Sequence, residues 1–254
     1  MARNVLVTGA AGGIGRATVE YLRATGANVL DVDIRGSSIT CDLSDPAART
    51  ELLRRVESSV DSLDAVVAAA GILDGTPAAV MSVNFFGATR LLEGLRPLLA
   101  KSDSPRALVM SSLASRFKFD QGVVEACLAD AEDEARRLAE GSTFQAYATS
   151  KVALSRWVRR HAVTPAWGGA GILLNAIAPG TIADTGMTRP LMEVPGGAER
   201  MQELVPSAIG RFGTPDDMAR LIGFLAGPDN RFIAGQVIFA DGGCDALQRG
   251  DAVW

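Results

Sequence analysis

Apolar and polar positions along the chain follow two alternating periods. Residues 4–8 (NVLVT), 28–33 (NVLDVD), 65–70 (AVVAAA), 107–111 (ALVMS), 172–177 (ILLNAI) and 236–240 (QVIFA) are short, β-branched, nearly unbroken apolar runs. Runs of that length with no polar face read as strands buried on both sides. Between them the spacing is helical. Residues 14–25 place Ile14, Ala17, Val19, Leu22 and Ala24 along one side, and residues 46–60 open on Ser44-Asp45-Pro46, a good helix start. Residues 80–99, 144–163 and 216–225 read as further helices. This order predicts an α/β fold, a doubly wound parallel sheet with helices on both faces. No repeat, low-complexity tract or long linker divides the chain, so residues 1–254 are expected to form a single domain.

Composition narrows the chemistry by scarcity. There is one histidine, His161, and no G-x-S-x-G segment, which disfavours a Ser–His–Asp hydrolase. Cys41, Cys127 and Cys244 are scattered, with no CxxC spacing, so neither a disulfide framework nor a metal site is expected. A net charge of −4 from 25 basic and 29 acidic residues points away from nucleic acid and from a polybasic membrane anchor. No apolar run has the length of a membrane span, and the first ten residues do not resemble a signal peptide. A soluble cytoplasmic protein is expected.

The 27 glycines change the picture more, because several fall in one place. Thr8-Gly9-Ala10-Ala11-Gly12-Gly13-Ile14-Gly15 joins the first strand to the first helix. Gly9 suits a tight turn, Gly13 a close backbone approach to pyrophosphate, and Gly15 close packing of helix on sheet. Phosphates would meet free N–H groups at the positive helix end. Asp33 ends the second strand 18 residues after Gly15, near the offset expected for a carboxylate that binds the adenosine ribose. Such a carboxylate repels a 2′-phosphate, so NAD is expected over NADP, although Arg35 leaves a phosphate contact open. Asp42-Leu43 is expected to bracket the adenine.

A second constellation is Tyr147-Ala148-Thr149-Ser150-Lys151, a phenol and an ammonium one helical turn apart. With two tyrosines and three lysines in the chain, that spacing arises by chance about 2% of the time. An adjacent ammonium and a cationic nicotinamide favour the phenolate and are expected to lower the phenol's pKa.

Together these segments resemble the short-chain dehydrogenase/reductase family over nearly the whole chain. The resemblance rests on residues 8–15, Asp33, Asp42-Leu43, Asn84 in Val83-Asn84-Phe85-Phe86-Gly87, Ser111-Ser112, Tyr147 with Lys151, Asn175-Ala176-Ile177-Ala178-Pro179-Gly180 and Asp241-Gly242-Gly243. It implies a Rossmann-type domain and a Ser–Tyr–Lys site. By position, Tyr147 would be the acid/base and Lys151 would hold the nicotinamide ribose. Ser112 would hydrogen-bond the substrate oxygen. Asn84 would bend its helix and hold a water in a proton relay. Cofactor contacts are implied for Gly9, Gly13, Ile14, Gly15, Asp33, Asp42, Leu43, Ala70, Gly71, Tyr147, Lys151, Pro179, Gly180, Ile182 and Thr185.

Three features depart from the family pattern. Ala68-Ala69-Ala70-Gly71 stands where Asn-Asn-Ala-Gly is usual, so side-chain hydrogen bonds are lost there. Asp184 occupies the usual threonine position, with Thr185 next, which puts the carboxamide contacts in question. Ser112 and Tyr147 are 35 residues apart, far more than usual. The insertion, at about 116–142, is expected to be an acidic helical stretch. It would pack through Val124, Cys127 or Leu128, Ala131, Ala135 and Leu138, with its acids outward. A similar insertion marks the hydroxysteroid and carbonyl-reducing branch of the family. It implies a homodimer through the last strand and the preceding helix.

A substrate lid is expected at about 185–204, where Met187, Leu191, Met192 and Val194 are interrupted by prolines and glycines. The expected reaction is NAD-dependent interconversion of a secondary alcohol and a ketone on a small, bulky, apolar substrate such as a 3α-hydroxysteroid. The alternatives are the same chemistry on a terpenoid, aromatic alcohol or quinone, or a dinucleotide-binding protein without turnover.

Overall fold

A computed structural model describes residues 2–252, so the ends of the expected 1–254 domain lie outside the described residues. Strand β1 (Asn4–Thr8) leads into α1 (Gly13–Ala24), then β2 (Asn28–Asp33), β3 (Ile39–Thr40), α2 (Pro46–Glu57) and β4 (Ala65–Ala68). Helix α3 (Pro77–Val80) runs through a π-helical turn (Met81–Gly87) into α4 (Ala88–Leu99), which returns to β5 (Arg106–Met110). A 3₁₀ turn (Leu113–Arg116) precedes α5 (Gln121–Leu128), α6 (Glu132–Leu138) and the long α7 (Thr143–His161). The chain closes with β6 (Leu173–Pro179), α8 (Arg189–Met192), α9 (Gly197–Leu204), α10 (Pro215–Ala226), β7 (Val237–Ala240) and α11 (Cys244–Arg249).

The seven strands form one parallel sheet in the order β3-β2-β1-β4-β5-β6-β7. Side-chain alternation along each strand divides the core into two layers. Leu6, Val66, Val109 and Leu174 face α2, α4 and α7. Val5, Val67, Leu108 and Ile177 face α1 and α10. Every residue of β4 and β5 is buried, which is why their sequences show no polar face. Local chemistry sets several helix starts. Asp45 accepts from the Ala47 N–H at 2.8 Å, with Pro46 in the first turn of α2. Thr214 and Asp217 cap α10 reciprocally.

Four expectations need correction. The strand expected over 65–70 ends at Ala68, because Ala69 already turns back with its N–H on the Val67 carbonyl. The helix expected from 80 starts at Pro77, capped by Thr76, and its middle is π-helical around Asn84. The insertion is two helices, since Asp130 takes a left-handed φ of +59° and breaks the run. Its acids do not all face outward. Glu132 turns in to pair with the buried Arg49 of α2 at 2.6 Å, while Asp133 and Glu134 stay exposed. Val124, Cys127 and Ala135 are buried as expected, and Leu128, Ala131 and Leu138 are half-buried. Among the described residues, no helix is long and apolar enough to cross a membrane.

Candidate active site

The strand order reverses between β1 and β4, which opens a crevice above their carboxyl ends. The glycine loop lines it. Gly9 has a φ of +69°, and a Cβ there would stand 2.8 Å from the Ala70 nitrogen. A Cβ on Gly15 would run into the Gly9 carbonyl oxygen, so the first turn of α1 can lie this close only with glycine. No side chain caps α1 and no acid sits in its first turn, leaving its N–H groups to an external anion. Ile14 is half-buried beneath the loop against the α1/α10 layer. Asp33 reaches across from β2. One carboxylate oxygen accepts from the Ala11 N–H at 3.0 Å and the other from the Ile34 N–H at 2.7 Å. Asp42 folds back to accept from the Ser44 backbone and hydroxyl at 2.8 and 2.7 Å, and Leu43 is buried in the core. Where the usual asparagines are missing, the Thr8 hydroxyl accepts from the Ala70 N–H at 3.1 Å and holds that segment.

Across the crevice, α7 presents Tyr147 and Lys151, both buried, with the ammonium 5.3 Å from the phenol ring centre. Ser112 follows the end of β5, and its hydroxyl oxygen accepts from the Ala114 N–H at 3.1 Å. Burial raises the Tyr147 pKa above its ordinary value, and a hydrogen bond with Ser112 opposes that rise. Burial pushes Lys151 down to about 7. The lysine by itself therefore does not lower the phenol, and the expected lowering is left to the cationic nicotinamide. Among the described residues no acid offsets the desolvation of either group, and Lys151 donates only to the Met110 carbonyl, at 2.7 Å.

Asn84 is fully buried in the π-helical turn. Its carboxamide accepts from the Ile72 N–H at 2.8 Å and donates to the Ile72 carbonyl at 2.9 Å and to Ser150 at 3.2 Å. Both amide protons are thus engaged in joining the segment after β4 to α7. The site of a Cβ on Gly71 lies 3.4 Å from the Asn84 amide oxygen and 3.5 Å from the Lys151 nitrogen, which puts all three together.

Two residues missed in the sequence also hold this cluster. Ser150 donates to the Tyr147 carbonyl at 2.7 Å, and Ser155 donates to that of Lys151 at 2.9 Å. Their signal was their place on the Tyr147 helix, which motif reading passes over.

The loop after β6 completes the crevice. Pro179 ends β6, Gly180 packs against Asp241, and Ile182 is buried and pairs with Gly213. Asp184 takes a left-handed φ of +57°, which carries Thr185 rather than Asp184 against Gly13. The Thr185 and Thr188 hydroxyls are 2.8 Å apart. The Thr181 hydroxyl, also missed, is buried with no partner among the described residues. The uncapped helix end, the glycine cradle and this orphan hydroxyl suit a large, polar, phosphate-bearing ligand. Beyond Thr185, Leu191, Val194 and Leu204 are exposed, and Met187 packs on the core. Among the described residues, no cluster of His, Cys, Asp and Glu is arranged to hold a metal ion.

Known proteins share this architecture. A short-chain dehydrogenase family model, described as enoyl-(acyl carrier protein) reductase, matches residues 9–140 and 131–245. The chain is 37% identical to the 3-alpha-hydroxysteroid dehydrogenase/carbonyl reductase of Comamonas testosteroni, covering 96% of this chain and 97% of that one. The 3-alpha-hydroxysteroid dehydrogenase of Pseudomonas sp. B-0831, solved with NADH, superposes with a TM-score of 0.89 at 36% identity, covering 98% and 99% of the two chains. The NADP complex of Pseudomonas aeruginosa RhlG superposes at 0.78 with 28% identity, over 96% and 97%. With a family model and these full-length relatives added to the crevice geometry, the chain belongs to the short-chain dehydrogenase/reductase family of oxidoreductases.

Proposed function

We propose that the protein interconverts a secondary alcohol and a ketone on a bulky apolar substrate, with NAD(H), and that 3α-hydroxysteroids and related carbonyl compounds are its substrate class. The observation that carries this reading is the gathering of Ser112, Tyr147 and Lys151 opposite an uncapped helix N-terminus. The substrate class draws support from the hydroxysteroid relatives and from the apolar side chains exposed on the lid.

The glycine loop and the first turn of α1 would hold the pyrophosphate. The Asp33 carboxylate, poised beside Ala11, would accept from the adenosine ribose hydroxyls, and its charge favours NAD over NADP. Lys151 would hold the nicotinamide ribose, with Ile182 and Thr185 beside the ring. When bound, the dinucleotide supplies or accepts the hydride. Tyr147 takes the hydroxyl proton during oxidation and returns it during reduction. Ser112 donates a hydrogen bond to the substrate oxygen and stabilises negative charge that develops there. Asn84 and Ser150 keep α7 in register with the crevice. A homodimer through β7 and α10 is supported by the half-buried edge strand β7 and by Phe224, exposed on α10.

The test is reduction of NAD⁺ with a panel of secondary alcohols that includes 3α-hydroxysteroids, with NADP⁺ in parallel. Steroid oxidation with NAD⁺ is expected. Turnover of terpenoid or aromatic alcohols alone would remove the steroid assignment and keep the site. Binding of NADH without any turnover would overturn the reading.

A further inference from the structure

Ser112 sits at the start of a single 3₁₀ turn, Leu113–Arg116, that closes on the Ser112 side chain itself. A turn this short has little stability of its own, so its far end must be tied down to fix the serine hydroxyl. Arg116 is that far end. Its guanidinium makes two contacts, both to α11: Nε to Asp245 at 3.1 Å and Nη1 to the Gln248 amide oxygen at 3.1 Å. Asp245 and Gln248 are one turn apart on α11, and separate nitrogens of one planar guanidinium reach them. Gln248 then donates its amide N–H to the Leu204 carbonyl at 3.0 Å, the last residue of α9 in the candidate lid. Below this bridge, Leu113, Val205 and Cys244 form a separate small apolar cluster with Phe239. The anchor is held in turn, because the Asp245 N–H donates to Asp241 at 2.7 Å and Arg249 also pairs with Asp245.

We propose that Arg116 and Gln248 are positioning residues that latch the end of the lid to the segment presenting Ser112. This rests on the proposed function, since it assigns Ser112 to the substrate oxygen and 185–204 to a lid. Arg116 holds Ser112 through the Asp245 contact, and Gln248 transmits that hold to Leu204. Closure of the lid on an apolar substrate and alignment of Ser112 are then one event.

The two arms separate by substitution. Gln248→Ala releases the lid and leaves Arg116 its Asp245 contact, and Gln248 is exposed, so the fold tolerates the change. One lost neutral hydrogen bond corresponds to a rise of about 3- to 5-fold in alcohol KM, with kcat and the KM for NAD⁺ unchanged. Arg116→Met removes both arms and is expected to add a fall of about tenfold in kcat. Arg116→Lys keeps a point charge for Asp245 but lacks the second nitrogen that reaches Gln248. It should match Gln248→Ala in KM and wild type in kcat. Amide hydrogen exchange in 197–205 should quicken in all three variants.

Unchanged KM and unchanged exchange in Gln248→Ala would overturn the latch. So would a kcat loss in Arg116→Met that Arg116→Lys does not rescue. The exchange arm needs no substrate. A wild type that turns over no alcohol defeats the functional reading, while lid exchange still decides the latch. If Arg116→Met does not fold, Gln248→Ala and Arg116→Lys decide it.

Discussion

The inner crevice and the lid beside it are incomplete in opposite ways. Around the inner crevice, at α1, α7 and the loop after β6, polar groups lack partners among the described residues: an uncapped helix end, the buried Thr181 hydroxyl, and the Lys151 ammonium buried with one carbonyl for company. On the lid side, apolar groups lack partners: Leu191, Val194, Leu204 and Ile209 face solvent. Unpaired buried polar groups and bare apolar side chains are both unfavourable in a free protein, and different ligands relieve them. A charged, hydroxyl-rich molecule suits the first side and a greasy one the second. The site is thus written as two complements, one for the cofactor and one for the substrate.

The largest effect expected from this contrast is at Lys151. Its pKa in the folded protein is about 7, against 10.5 for the ordinary side chain. Between those values the unfolded chain binds a proton that the folded chain does not, so unfolding free energy rises with pH. The destabilisation is fully present below about 7 and is relieved as pH approaches 10.5. In the cofactor-free protein the slope should be up to about 1.4 kcal/mol per pH unit, and Lys151→Met should abolish that contribution. Urea midpoints for both proteins at three pH values check this. Parallel pH dependences would mean that the ammonium is not stranded and that the polar side is already complete.

A smaller effect is expected at Asp33. Asp33→Asn removes the charge and keeps an acceptor for only one of the Ala11 and Ile34 N–H groups. Losing a charged hydrogen bond of about 1.5–3 kcal/mol should lower the preference for NAD⁺ over NADP⁺ by roughly 10- to 100-fold in kcat/KM. An unchanged ratio would move cofactor choice to another residue, with Arg35 the first to test. The smallest effect is the few-fold KM rise at Gln248, which sharpens the contrast by reporting on the lid alone.

Legibility in the sequence follows the same division. Parallel strands buried on both faces leave an unmistakable apolar signature, so six of the seven were readable to within about two residues, and β3, with two residues, was not. The glycine loop was legible because only glycine meets its geometry, as Gly9 and Gly15 show. The positions of Tyr147 and Lys151 were legible from a helical turn of spacing, but their pKa values were not. Those depend on burial, which a local motif does not carry. Asn84 was marked as important, yet its partners Ile72 and Ser150 come from distant parts of the chain. The insertion was readable as helical and apolar on one side. The break at Asp130 and the inward turn of Glu132 toward Arg49 were not, because each depends on a tertiary partner or an unusual φ. The Arg116 bridge joins residues 116, 204, 245 and 248, and no local pattern announces it.

The most direct test of the account is Tyr147→Phe, with dinucleotide affinity and alcohol turnover measured on the same preparation. The phenol's chemical task is to move the hydroxyl proton, and the glycine loop, Asp33 and Lys151 that would hold most of the cofactor do not depend on its oxygen. Turnover is therefore expected to fall about 10²- to 10⁴-fold, with NADH binding unchanged. Turnover close to wild type would contradict the assignment of the proton to Tyr147 and with it the central claim.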